Sequence, residues 1–215
     1  LNATDAARPK RAVDIIEHAL GRAGVQRHRL WSAMPSQRVI EIGCGQHGGL
    51  GPACVAAGAS RYLGIDPGID AALLDDAAVR DQWVRPALVA CAEHVRPGLD
   101  EGPGELAARF QAASTYSTSG LEELGRGGDS SGDGTTLFMS ISCLEHIHHF
   151  DAAFDVMAQL GTTEAAHVHL VNFSNHTSRD KPFEGLYETN RDSYVRQWGG
   201  HINGLRPPDV LEAFK

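Results

Sequence analysis

Arg38 to Gly51, RVIEIGCGQHGGLG, is the stretch that most tightly constrains the fold of this 215-residue chain. Three apolar residues, Val39, Ile40 and Ile42, run directly into glycines at Gly43, Gly45, Gly48, Gly49 and Gly51. A short apolar run bounded by glycines reads as a buried strand ending in a tight loop. Pro52 to Ala57 then reads as a short helix, opened by proline and closed by Gly58. The loop therefore lies between the carboxyl end of a strand and the start of a helix. Open α/β sheets bind their ligands there.

One spacing and one acidic residue limit what the loop can hold. Gly43, Gly45 and Gly48 fit the pattern G-x-G-x-x-G. Asp66 follows roughly 20 residues later, at the end of a second apolar run, Tyr62-Leu63-Gly64-Ile65. That pattern suits any nucleoside cofactor, because a carboxylate accepts both hydroxyls of a ribose. Glu41 is expected at the mouth of the loop. A carboxylate there repels a pyrophosphate and attracts the ammonium and sulfonium groups of S-adenosylmethionine.

Glu41-Ile42-Gly43-Cys44-Gly45, followed by Gly64-Ile65-Asp66-Pro67, resembles the class I S-adenosylmethionine-dependent methyltransferases. Thr136 to Ile147, TLFMSISCLEHI, is similar to that family's fourth strand and the turn after it, where Leu-Glu-His opens the next helix. The resemblance implies a Rossmann-like α/β sheet flanked by helices, with S-adenosylmethionine as cofactor. It implies binding by Glu41, Gly43, Cys44, Gly45, Gly48, Asp66 and Pro67. Ser119 to Leu124 resembles the turn that flanks adenine, which adds Gly120 and Leu121 to the set. Ser140, Ile141 and Ser142, at the end of the fourth strand, are expected beside the methionine half. Gly120 stands where many members carry an acidic residue for the adenine amino group, so a backbone contact or Ser119 is expected to substitute.

Composition narrows the partners. A net charge of −8 and a pI near 5.7 disfavour a nucleic-acid backbone, which needs clustered Lys and Arg. No run of about 18 apolar residues marks a membrane span, and the N-terminus lacks a signal-like pattern, so a cytoplasmic protein is expected. The four cysteines, Cys44, Cys54, Cys91 and Cys143, have no C-x-x-C spacing and read as reduced thiols. No base is recognisable beside Cys44, which reads as a small residue packed beneath the cofactor rather than a nucleophile.

A single domain spanning 1–215 is expected. Residues 9–24 carry Ala12, Ile15, Ile16, Ala19 and Leu20 at helical spacing. In the resembled family such a leading helix packs on the sheet and often closes over the cofactor, so here it either contributes to the substrate entrance or simply packs at the edge. Residues 70–110 read as an inserted helical segment after the second strand, divided at Pro86; it either shapes the substrate pocket or elaborates the surface. Residues 112–118 are a weak third strand, and Gly125 to Gly134 a glycine-rich surface loop. Thr136 to Ser142 forms the fourth strand. The next helix carries Phe150, Ala153, Phe154, Met157 and Leu160 on one face and stops at Gly161. A fifth strand runs through Val168 to Phe173. No strand pair follows, so the family's closing hairpin is missing. A fragment of a longer protein, or a sheet edge built differently, is expected; Leu1 in place of Met points the same way.

The histidines His146, His148, His149, His167, His169 and His176 lack the ligand spacing of a metal site, and no metal is expected. A proton acceptor is the better use. His176 follows the fifth strand and His146 the fourth, both on the ligand side of the sheet, and histidine suits general-base work near neutral pH. Phe183, Tyr187, Tyr194 and Trp198 either wall an acceptor pocket or pack the C-terminal segment onto the sheet. The reading that results is methyl transfer from S-adenosylmethionine to a small molecule, at oxygen. A nicotinamide-dependent oxidoreductase and a non-catalytic scaffold domain are the alternatives. The residues identify neither the acceptor nor the oligomeric state.

Overall fold

The computed structural model describes residues 8–70, 72, 76–124, 135–162, 164–174, 180–185, 188–198 and 202–214. Five strands, β1 (Arg38–Ile42), β2 (Arg61–Ile65), β3 (Ser114–Ser117), β4 (Thr136–Ile141) and β5 (Ala165–Leu170), form one parallel sheet in the order β3-β2-β1-β4-β5. β1 and β4 are almost wholly buried, as strands covered on both faces must be. The two edge strands are shorter or more exposed. This is the Rossmann-like α/β architecture expected from the sequence.

Strand alternation assigns each side chain to one of two cores. Val39, Tyr62, Leu137 and Met139 point to one face, and Ile40, Ile42, Ile65 and Phe138 to the other. The first face is covered by α1 (Arg8–Arg22), α2 (Arg27–Ser32), α3 (Gly51–Ala56), α4 (Ala77–Val95) and α5 (Pro103–Ala113). The second is covered by α6 (Phe150–Leu160) and by α8 (Pro207–Ala213), with α7 (Arg191–Trp198) between them in sequence. α6 buries Phe150, Ala153, Met157 and Leu160 and ends at Gly161, as its periodicity predicts. Phe214, just past α8, packs on Phe154, His167 and His169.

One expectation needs correction. Pro86 does not divide a helix: α4 runs unbroken from Ala77 to Val95. Proline deprives only the Gln82 carbonyl of its partner, and both residues lie on the exposed side, where water replaces that bond. The described part of segment 70–110 walls a space of about 500 Å³, bordered by Ala77, Val84, Arg85, Ala107 and Phe110 together with Tyr116 of β3, and it also completes the core. Trp83, Val84, Ala87, Leu88 and Cys91 are buried, and α4 and α5 pack on α3 as the layer closing the first face. The leading helix α1 packs on α3 and α4 and sends Val13 and Ile16 into the core of the first face. It is held there by Glu17, whose carboxylate accepts the Trp31 indole N–H at 2.6 Å and meets His94 Nε2 at 3.0 Å.

Leu88 has no exposed surface, whereas Leu211 is 65% exposed. Leu88→Ala is expected to cost about 2–5 kcal/mol of unfolding free energy, and Leu211→Ala less than about 0.5. Urea denaturation of the two variants checks this; equal losses would contradict the assignment of α4 to the core.

Candidate functional site

The strand order reverses between β1 and β4, and a cleft of about 460 Å³ opens at the carboxyl ends of these strands and of β2. Gly43 and Gly45 form one side, Asp66 and Pro67 a second, Gly120 to Glu122 a third, and Ser142, Cys143, His146 and Ile147 the last. Ile42 and Ile65 supply apolar floor. A hollow of about 430 Å³ lies on the other side of the glycine loop, against Pro9 and Ala12 of α1 and bordered by Cys44, Gly45 and His47.

The loop keeps its shape through two carboxylates on opposite sides. Asp66 Oδ2 accepts the Gly45 N–H and Oδ1 the Gly68 N–H, each at 2.7 Å. Both oxygens retain lone pairs toward the cleft. Glu41 Oε2 accepts the Leu50 N–H at 2.7 Å and the Tyr62 hydroxyl at 2.5 Å. Gly43, Gly45, Gly48 and Gly49 all have φ between +53° and +78°, a region costly for other residues. At Gly49 a Cβ would also stand 2.5 Å from both Glu41 oxygens.

The predicted site residues separate into groups. Gly43, Gly45, Asp66, Pro67, Gly120, Leu121 and His146 border the cleft together. Cys44 borders the second hollow, and Gly48 lies against the Tyr116 hydroxyl. Glu41 is not at the mouth of the loop. It is 2% exposed, beneath the loop, because strand alternation sends it to the same face as Val39. Ser140 and Ile141 do not border the cleft either. Ser140 is buried, with its hydroxyl 2.8 Å from His169 Nδ1, and Ile141 points into the first core. His176 and Tyr187 lie outside the described residues; Tyr194 is buried beside Ile202 and Phe183 is exposed.

Ser142, expected beside the methionine half, does border the cleft, whereas Cys143, Glu122 and Ile147 were not expected there. Ser142 has φ +49°, so the chain turns at the end of β4 and brings Ser142 and Cys143 to the cleft in place of Ser140 and Ile141. Glu122 enters through a 3₁₀ turn at Leu121–Glu123, and Ile147 ends a second such turn at Leu144–His146. The second turn is pinned by Asn203, whose side-chain amide donates to the carbonyls of Leu144 and Ile147 at 2.7 and 2.8 Å. A buried asparagine near the C-terminus carries no local sequence signal for that role. Gly43 also differs from expectation. The space that a side chain there would take belongs to Cys143, whose Sγ it would strike.

Burial dominates the titration behaviour. It pushes Cys143 up to about 12, and the neighbouring acids Glu145, Asp66 and Glu41 push the same way, so Cys143 stays a thiol. Cys44 is raised further for the same reason and is no nucleophile. His169 is lowered to about 3 by burial and is neutral on Ser140. Burial also raises Glu145, whose Oε1 accepts the Asn172 N–H at 3.3 Å. The cleft itself is lined by Asp66 and Glu122, with no Lys or Arg among the described residues that border it. No three His, Cys, Asp or Glu side chains among the described residues are grouped as metal ligands.

Glu41 generates a pH prediction. Burial raises it from 4.5 to about 7, against the lowering effect of the Tyr62 and Leu50 hydrogen bonds. The folded state therefore holds this proton more tightly than the unfolded one. The stability it contributes is fully present below pH 4.5 and is lost as pH rises through 7. Relative to Glu41→Gln, the wild-type chain is expected to lose up to about 3 kcal/mol across that window. Urea unfolding at pH 5 and pH 8 measures it, and a difference independent of pH would refute the buried-acid assignment.

No family model matches the chain, and no curated protein matches it. Among solved structures, a Listeria monocytogenes protein proposed to be an S-adenosylmethionine-dependent methyltransferase is similar over 63% of this chain, at 15% identity and a TM-score of 0.36. The aligned region covers 47% of that protein, so the chain spans about half its length.

Proposed function

We propose that this chain is an S-adenosylmethionine-dependent methyltransferase that acts on a small molecule at oxygen. The observation that carries the reading is the charge of the cleft. Asp66 and Glu122 border a partly apolar space at the switch point of the sheet, and no cation among the described residues opposes them. A sulfonium with an ammonium group fits that field. A pyrophosphate would face two carboxylates with no Arg or Lys, which disfavours a nicotinamide dinucleotide. The acidic chain, with its net charge of −8, likewise favours a small-molecule acceptor over nucleic acid. No helix among the described residues is long and apolar enough to cross a membrane, and a cytoplasmic location accords with the reading.

Bound in the cleft, S-adenosylmethionine would supply a methyl group on positive sulfur, with S-adenosylhomocysteine as the product. Asp66 would hold the ribose hydroxyls on the lone pairs left free by Gly45 and Gly68. Ile42, Ile65, Leu121 and Ile147 would enclose the adenine, and Glu122 supplies the carboxylate that Gly120 lacks for its amino group. Gly45 presents bare backbone where a side chain would project into open space at the cleft and crowd the ligand, while the absence of a side chain at Gly43 makes room for Cys143. His146 is exposed at the rim, where it would take the proton of an acceptor hydroxyl. His176 is the other candidate for that proton. Exclusion of competing water would fall to the acceptor itself and the surrounding apolar side chains.

Calorimetric titration with S-adenosylmethionine, S-adenosylhomocysteine and NAD tests the reading. Binding of the first two and not the third is expected, and Asp66→Asn should weaken it by about 1–3 kcal/mol, tenfold or more. Preference for NAD would overturn the class, and binding without transfer to any acceptor would indicate a scaffold. His146→Ala and His176→Ala should both retain cofactor affinity. Whichever residue is the base, its loss should lower the transfer rate by about 10²–10⁴.

A further inference from the structure

The start of α6 and the C-terminal segment enclose a second space, a groove of about 850 Å³. That volume lies within the range of small-molecule sites. Its polar side chains include His149 at the N-cap of α6 and Asp151 in its first turn, Arg191 at the start of α7, Arg206 just before α8, and Asp209 and Glu212 on α8. His149, Asp151 and Arg191 are exposed. Among the described residues, Arg191 uses only its Nε, on the Asn203 carbonyl at 2.9 Å, so its terminal nitrogens are available as donors. Asp151 and His149 have no side-chain hydrogen bond to the described residues, and the Asp209 carboxylate accepts the Arg206 N–H at 2.8 Å with one oxygen.

The charges of this groove nearly cancel. Arg191 and Arg206 stand with Asp151, Asp209 and Glu212, so a phosphate or polycarboxylate would meet as much repulsion as attraction. Separated donors and acceptors of both kinds suit a ligand whose every polar group is both donor and acceptor, and hydroxyl is that group. The groove also adjoins the cleft. His146 and Ile147 border the cleft, and His148 and His149 border the groove, on one continuous turn. Residues two apart along a chain lie within about 8 Å of one another.

We propose that this groove binds the methyl acceptor, and that the acceptor is a neutral, polyhydroxylated compound of mono- to disaccharide size which presents one hydroxyl toward His146. The proposal rests on the methyl-transfer reading above and supplies its substrate class. Asp151 and Arg191 hold the ring hydroxyls remote from the reacting one and set the orientation.

Saturation-transfer NMR on the full chain, with and without S-adenosylhomocysteine, tests it. The probes are the methyl glycosides of glucose, galactose and mannose, and maltose; glucose 6-phosphate and 4-hydroxybenzoate serve as charged and aromatic comparators. At least one neutral sugar is expected to bind. Asp151→Ala and Arg191→Ala should each weaken it at least tenfold while leaving S-adenosylhomocysteine affinity unchanged; Asp151 is exposed and makes no side-chain hydrogen bond to the described residues, so its removal leaves the fold intact, and an unchanged thermal melt checks the same for Arg191, whose Nε holds the Asn203 carbonyl. The proposal is overturned by binding of no neutral sugar, by tighter binding of either comparator, or by sugar binding indifferent to both substitutions. Sugar binding to a chain that does not bind S-adenosylhomocysteine would support the groove and overturn the methyl-transfer reading.

Discussion

The glycine loop closes over a buried carboxylate, and the cleft depends on that contact. Glu41 receives the Tyr62 hydroxyl and the Leu50 N–H on one oxygen and lies against the backbone of Gly49. A loop with four left-handed glycines has a large conformational entropy to lose on folding. Hydrogen bonds to an acidic group in a water-free site are among the stronger ones available to oppose that loss. Tyr62 ties the same carboxylate to β2 and lies 3.2 Å from the Gly48 carbonyl, so strand, loop and neighbouring strand are joined at one point. On the other side Asp66 receives the Gly45 N–H. The loop is thus held between two acids, one closed off from water and one open to the cleft.

The parts of this arrangement that are periodic were legible in the sequence. The apolar runs of β1, β2 and β4, the face of α6 and its stop at Gly161 follow from spacing and from glycine alone. Glu41 was legible too, since it shares parity with Val39, yet a carboxylate beside a glycine loop invites a surface role. Ser140 and Ile141 were misplaced for a different reason. The left-handed turn at Ser142 falls on a residue that rarely adopts it, so nothing in the sequence announces that the chain leaves the strand there. Asn203 was invisible because its partners, Leu144 and Ile147, are distant in sequence. Pro86 misled because its effect depends on whether the orphaned carbonyl faces water, and only the packing of α4 decides that.

The two carboxylates of the loop also divide the electrostatic work. Burial raises Glu41 to about 7, and the nearby charge of Asp66 adds to the rise. A second full negative charge beneath the loop would draw on the same cation as Asp66, but from a place no ligand can reach. Holding Glu41 near neutrality leaves the field in the cleft to Asp66 and to Glu122, which border it directly. Under the proposed function, selection between a sulfonium and a pyrophosphate then falls to residues that line the cleft. A change at Glu41 would act on the shape of the loop, and a change at Asp66 on both shape and charge. The glycine pattern, shared by cofactors of opposite charge, cannot by itself make that choice; under the proposed function it falls to the acid at the end of β2 and the acid in the turn after β3.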